Sequence, residues 1–263
     1  MESSAARIQA SDPVEISFDG PLAFVRFNRP EKRNAIDDES IGALDRFFNA
    51  VPETVRCVIL SGNGGNFSAG LDLSEHIKRR GEDVLFHSRG WHRVAESIQF
   101  GPVPVVALLN GAVMGGGLEL AAACHVRIAE GECMFRLPEG QRGIFVGGGG
   151  SVRLGRIIGP DRLTEMLLTG RTYDSATALD IGLVHYAVPT GEGAKTSREI
   201  ALKVSGNSRL VNYLVMQAIP RIADMPHGSG LLAESLAAAL STTTDDSIEG
   251  LEAFLDKRPP KFR

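Results

Sequence analysis

Two glutamates standing beside glycine clusters are the chemistry-bearing feature of this sequence. Glu119 lies in NGAVMGGGLEL (110–120), where three consecutive glycines open a helix. Glycines leave backbone N–H groups uncovered, and the first amides of a helix have no partner within it. A helix N-terminus also favours developing negative charge, of the kind an enolate or a tetrahedral oxyanion carries. In an otherwise apolar run the Glu119 carboxyl is desolvated, which raises its pKa. The same position equally suits a charge that only stabilises the helix start. Glu139 follows twenty residues later, between MFRLP and the run GGGG (147–150). Two such acids resemble a general acid/base pair around one substrate carbonyl, although a spacing of twenty does not by itself bring them together. A further glycine-rich stretch, Asn63 to Gly70, follows a strand. Its amides suit an anion or a polarised carbonyl, and equally an ordinary turn.

Other chemistries are excluded by what is missing. His76, His87, His92, His125, His185 and His227 are scattered without an H-x-x-x-H pattern, and there is neither a G-x-S-x-G elbow nor a P-loop. GPDRLTEMLLTG (159–170) is read as a helix with Leu163, Met166 and Leu167 in the core. Three cysteines, Cys57, Cys124 and Cys133, fit neither a disulfide framework nor a zinc site, so a reducing, cytoplasmic setting is expected and no metal. The N-terminal MESSAARIQASD has no apolar h-region, so neither a secretory signal nor a transit peptide is read there. Lys and Arg total 28 against 32 Asp and Glu, a net charge of -4. That balance gives no general reason to bind nucleic acid, while a small basic pocket stays compatible with it. The apolar stretch from Val103 to Cys124 is broken by Asn110, Glu119 and glycines and reads as buried core, not a membrane span.

The elements that must position these residues alternate. VEISFDGPLAFVRFN (14–28) is a hairpin around Asp-Gly-Pro. Asp37 and Asp38 precede a helix with Ile41, Leu44, Phe47 and Phe48 on one face, and CVILSG (57–62) follows as a buried strand. A loop, a charged helical region (72–99), the strand PVVALLNG (104–111), the short helix of Glu119 and the segment VRIAEGECMFRLPE continue an α/β alternation. Helical spacing resumes from 151, with a helix at 175–180 and a short strand at 183–188. At 263 residues the chain suits one main domain with an appendage. The loop-like PTGEGAK divides it into 1–195, carrying the site, and a helical region, 196–263.

Six collinear blocks carry a resemblance: NRPEKRNAI (28–36), NFSAGLDL (66–73), NGAVMGGGLELAAAC (110–124), FRLPEGQRGIFVGGGG (135–150), LTGRTYDSATALDIGLVHYAV (168–188) and FLDKRPPKF (254–262). Together they resemble the crotonase superfamily, in its enoyl-CoA hydratase branch. The resemblance implies an α/β fold of the ClpP/crotonase type, a spiral of β-β-α units with a helical C-terminal trimerisation region, assembled as a homotrimer or a dimer of trimers. It implies a coenzyme A thioester as substrate and no separate cofactor. Carried over position by position, the amides of Leu71 and Gly116 form an oxyanion hole. Glu119 is the base for water, Glu139 delivers a proton to the α carbon, and the Gly147 amide helps hold the water. Arg33, Ala35, Ser68 and Ala69 lie along the CoA moiety, with Phe254 and Lys257 reaching it from a neighbouring subunit. Phe86, His87, Trp91, Phe145 and Val146 line the acyl pocket.

Two positions depart from the family pattern. Gly143-Ile144-Phe145-Val146 replaces the common Gly-Ile-x-Pro, reshaping the floor near the acyl tail, and His125 stands where an acid is frequent. The implied reaction is reversible syn hydration of a 2-enoyl-CoA, which includes small substituted acryloyl thioesters such as methylthioacryloyl-CoA. Double-bond isomerisation, thioester hydrolysis and decarboxylation on the same scaffold are the alternatives, followed by a non-catalytic or RNA-binding scaffold.

Overall fold

The structure, a computed structural model, describes residues 12–262, so nearly all of the N-terminal stretch read above as lacking a leader lies outside the described residues. Six strands form one sheet in sequence order, β1 (Val14–Asp19), β2 (Leu22–Phe27), β3 (Cys57–Gly62), β4 (Val105–Met114), β5 (Val126–Arg136) and β6 (Tyr186–Val188). The first pair is an antiparallel hairpin in which Asp19 faces Leu22, and Gly20 takes the left-handed conformation (φ 55°) that the two-residue turn requires. Every later pairing is parallel. A parallel strand covered on both faces reads as an unbroken apolar run, and β3 shows why. Val58 and Leu60 enter the main core, while Cys57 and Ile59 enter a second cluster on the opposite face with Leu22, Val106, Ile128 and Ala201.

The main core is closed by α1 (Asp38–Phe48), α3 (Gly81–Gln99) and α4 (Gly116–Ala121). Asp37 caps α1, its Oδ1 accepting from the Ser40 amide at 2.8 Å and the Ser40 hydroxyl at 2.6 Å. The region 72–99, expected as helix throughout, divides into α2 (Leu73–His76) and α3 because Arg80 is extended and Gly81 left-handed, which leaves Ile77–Arg80 in neither helix. Beyond β5 come α5 (Gly150–Ile158), α6 (Pro160–Thr169) and α7 (Ser175–Asp180). The expected strand 183–188 pairs only at Tyr186–Val188, and Leu183 and Val184 are core residues instead.

The sheet's second face is covered by α8 (Gly193–Ser205), which contributes Ala201, Ile200 and Val204. Sheet packing therefore runs past residue 195. The elements that follow, α9 (Arg209–Ile222), α10 (His227–Ser241) and α11 (Asp245–Leu255), leave Leu232, Leu236, Leu251 and Phe254 exposed. No helix among the described residues is long and apolar enough to cross a membrane.

Candidate active site

The site is built where β4 and β5 bend. Their register jumps between Asn110↔Glu130 and Gly111↔Cys133, so Gly131 and Glu132 bulge out and the strand ends are re-aimed. Those ends form a second small layer, in which Ser68 bridges Val113, Ile36 bridges Leu71 and Phe135 bridges Tyr173. Each turn of the chain thus lays down a strand in the main sheet, a piece in this layer and a helix.

Two backbone amides are left over by that construction. At the Ile36–Leu71 bridge the hydrogen bonds run from the Ile36 amide to the Gly70 carbonyl and from the Asp72 amide to the Ile36 carbonyl, bypassing the Leu71 N–H. Gly116 is the first residue of α4, and its N–H has no acceptor within the helix. The two amides are neighbours, since a Cβ built on Gly116 would stand 3.6 Å from the Leu71 nitrogen. Glycine is required for that approach. A Cβ on Gly70, at φ 91°, would meet the Met114 carbonyl at 2.7 Å, and one on Gly116 would meet the Trp91 ring at 2.6 Å.

Glu119 and Glu139 are both buried beside these amides. Oε1 of Glu119 accepts from the amides of Gly148 at 2.9 Å and Gly150 at 2.8 Å. Burial raises its pKa despite the amides of Gly150, Gly148 and Gly147, which pull the other way. Glu139 follows β5 and enters a 3-10 turn, Gly140–Arg142. Its carboxyl lies against Gly115, whose Cβ would meet Oε1 at 2.8 Å, and Oε2 is buried without a partner among the described residues. Burial pushes its pKa up to about 7, its own amide lowering it and the Glu119 charge adding to the rise. One carboxylate is tied at a single oxygen while the other is held near neutrality, an arrangement that suits proton exchange at two adjacent carbons.

Both acids and the Leu71 and Gly116 residues line one cavity of about 760 Å³. Of the residues expected in an acyl pocket, His87, Trp91, Phe145 and Val146 line it too. Phe86 does not. It is 63% exposed, because the inward face of α3 runs through Val84, His87, Ser88 and Trp91, and residue 86 falls on the outside. Ser68 is also displaced from its expected role. It is fully buried, donating to the Asn34 carbonyl at 2.7 Å and accepting from the Gly70 amide at 3.1 Å, so it shapes the turn that aims Leu71. Ala69 lines the cavity, its amide donating to the Arg33 carbonyl at 2.9 Å, and the Ala35 carbonyl accepts from Arg29 Nη1 at 2.6 Å. Arg33 is exposed and left-handed (φ 50°). Phe254, 82% exposed, and Lys257 lie at the end of α11, away from this cavity's wall. The Gly147 carbonyl accepts from Ser88 Oγ at 2.6 Å, while its amide acts on Glu119.

Several positioning residues were given no role by the sequence. Asn34 ties two loops together, donating to the Asn63 and Asn66 carbonyls and accepting from the Arg29 amide. Arg29 joins Asp37 at 3.0 Å and Asp72 at 2.9 Å. His76 and Arg79 line the cavity from outside the quoted blocks, and Arg142 lines it from within FRLPEGQRGIFVGGGG. His125, by contrast, is structural: it is buried, accepts from the Val105 amide at 3.0 Å and contacts the Gln99 carbonyl at 2.9 Å, and burial lowers its pKa to about 4.

The model of the family described as "Enoyl-CoA hydratase/isomerase" matches residues 18–263. The short-chain-enoyl-CoA hydratase of Clostridium acetobutylicum is 33% identical over 93% of this chain and 95% of its own. The enoyl-CoA hydratase structure from Bacillus anthracis superposes with a TM-score of 0.90 at 31% identity, covering 95% of this chain and 98% of that one. A Rhodopseudomonas palustris structure, provisionally assigned as an enoyl-CoA hydratase, reaches 44% identity and a TM-score of 0.91 over 97% and 98% of the two chains.

Proposed function

The chain belongs to the enoyl-CoA hydratase/isomerase family and has the crotonase fold, and from that premise we propose that it hydrates 2-enoyl-CoA thioesters reversibly and in the syn sense. The observation that carries the reading is that two buried glutamates line one cavity together with Leu71 and Gly116, whose amides are left over by the backbone pairing. The two N–H groups hold the thioester oxygen. Glu119, fixed through Oε1, takes a proton from water as the water oxygen bonds to C3. The electron pair of the C2–C3 double bond moves onto the thioester as an enolate, and Glu139 gives its proton to C2. Net transfer leaves the pair with its single proton moved from Glu139 to Glu119, and exchange with solvent resets it. Removing one donor from such a hole costs about 3 kcal/mol in other enzymes, so the amides carry a large share of the acceleration. The Gly147 amide, next to the loop that holds Glu119, helps fix the water. Arg33, Ala35 and Ala69 border the CoA moiety, and Ser68 supports them from below.

Glu119→Gln and Glu139→Gln are each expected to slow loss of the conjugated-thioester absorbance of crotonyl-CoA by about a hundredfold or more while CoA-ester binding stays measurable. Turnover close to wild type in either variant rejects the assignment. Isomerisation is the second reading, favoured by Glu139 having a buried oxygen without a partner among the described residues and a pKa of about 7, as a one-acid proton shuttle needs. Formation of a 2-enoyl-CoA from its 3-enoyl isomer without water addition would select it. The exposed apolar residues of α10 and α11 support a homotrimer or a dimer of trimers, with Phe254 and Lys257 meeting a neighbour's CoA. Sedimentation of the full chain measures that. Three free, buried cysteines support a reducing compartment, the cytoplasm, and the proposed substrate class supports a place in short acyl-CoA metabolism.

A further inference from the structure

Among the apolar residues of the cavity wall stands a polar cluster. The Trp91 ring abuts Gly116, Trp91 Nε1 donates to His87 Nε2 at 3.2 Å, and the His87 ring lies 5.7 Å from that of His76. Asp38 stands behind them, its Oδ1 3.2 Å from His87 Nε2 and its Oδ2 paired with Arg79 Nη2. Arg79 Nη1 and His76 Nδ1 are left buried with no partner among the described residues. Burial, with Arg79 nearby, lowers the pKa of both imidazoles, so they are neutral at pH 7 and the formal positive charge on this wall is that of the arginines. Arg80 and Arg142 line the same cavity. A hydrocarbon tail satisfies none of these groups and desolvates a guanidinium.

We propose that Arg79 and His76 form a tail-recognition subsite for a carboxylate, so that the preferred substrates are CoA thioesters whose acyl chain ends in an ionised carboxyl group. The proposal rests on the reading of this cavity as an acyl-CoA site. A terminal carboxylate accepts from Arg79 Nη1 and from His76 in its Nδ1–H tautomer, supplying both missing partners. Both nitrogens are shielded from solvent while both residues line the cavity, so the carboxylate reaches them by rotation of the Arg79 and His76 side chains.

The test is calorimetry on the full chain with three saturated six-carbon acyl-CoA thioesters, ending in methyl, carboxylate or carboxamide, which bind without being hydrated. The carboxylate form is expected to bind about tenfold or more tighter than the methyl form, the scale of one charge-assisted hydrogen bond. Arg79→Gln is expected to bring that ratio close to one, and Arg79→Lys to restore part of it. Methyl-ended binding equal to or tighter than carboxylate in the wild type overturns the proposal, whatever the variants do. Carboxamide binding as tight as carboxylate overturns the assignment of a charge. Carboxylate preference without hydration of the matching 2-enoyl thioesters counts against the proposed reaction and leaves the subsite standing. Failure of all three to bind removes the acyl-CoA reading and the subsite with it.

Discussion

Replacing Glu139 by glutamine probes the electrostatics of the site through folding as well as through catalysis. The carboxyl is 8% exposed and its pKa is moved from the ordinary 4.5 to about 7, chiefly by loss of water. Below about pH 4.5 the folded and unfolded chains both hold this proton, and the group adds no pH dependence. Between there and about pH 7 the unfolded chain releases the proton while the folded chain keeps it, so wild-type stability falls as pH rises. Above that the penalty is complete, and at about 1.4 kcal/mol per tenfold it amounts to about 3 kcal/mol. Glutamine has nearly the same shape and no charge to desolvate. Loss of the neighbouring charge also eases ionisation of Glu119, which acts in the same direction. The variant should therefore unfold at the same urea concentration as wild type near pH 4 and at a higher one near pH 8, by an amount worth about 3 kcal/mol. Both proteins must be compared at one protomer concentration, because association stabilises the folded state. Hydration should meanwhile fall by about a hundredfold to ten-thousandfold. Stability curves that run parallel from pH 5 to 8 would show that the carboxyl is not strained by burial and would refute the reasoning.

The same titration shapes the rate profile: kcat/KM for hydration should decline as pH passes about 7, where Glu139 loses the proton it delivers, and a flat profile to higher pH would exclude it as the donor. Gly150→Ala places a Cβ 2.8 Å from Glu119 Cγ and 2.9 Å from Oε1, so the base must shift. About a hundredfold loss in kcat is expected with CoA-ester binding retained, measured by steady-state kinetics beside calorimetry. Arg29→Met leaves Asp37 and Asp72 without their shared partner and should cost about 3 kcal/mol in denaturant unfolding. The Ser74 hydrogen bonds, and then Lys32 and Arg29, hold Asp72 well below the usual carboxylate range, so its contribution is present above about pH 4 and is lost as pH falls further.

Local sequence decided everything that depends on a few adjacent residues. Asp37 before an apolar 3.6-residue period specifies a capped helix, Asp19-Gly20-Pro21 specifies a hairpin, and three glycines before Glu119 specify uncovered amides beside a desolvated acid. Those signals are short because caps, turns and helix phases are short-range steric and hydrogen-bonding problems. They also placed Glu139 beside a glycine run but could not say that it shares a cavity with Glu119. Tertiary structure decided that, through the bulge at Gly131 and Glu132 that turns β4 and β5 into the second layer and brings Leu71 beside Gly116. It also turned Phe86 outward and enclosed Ser68, since helix phase relative to a neighbour and burial of a loop depend on packing among residues far apart in the chain. Arg79 and His76 were given no role by the sequence, because a charged residue and a scattered histidine look the same whether or not a fold gathers them, and only the folded chain sets them against Asp38 and His87.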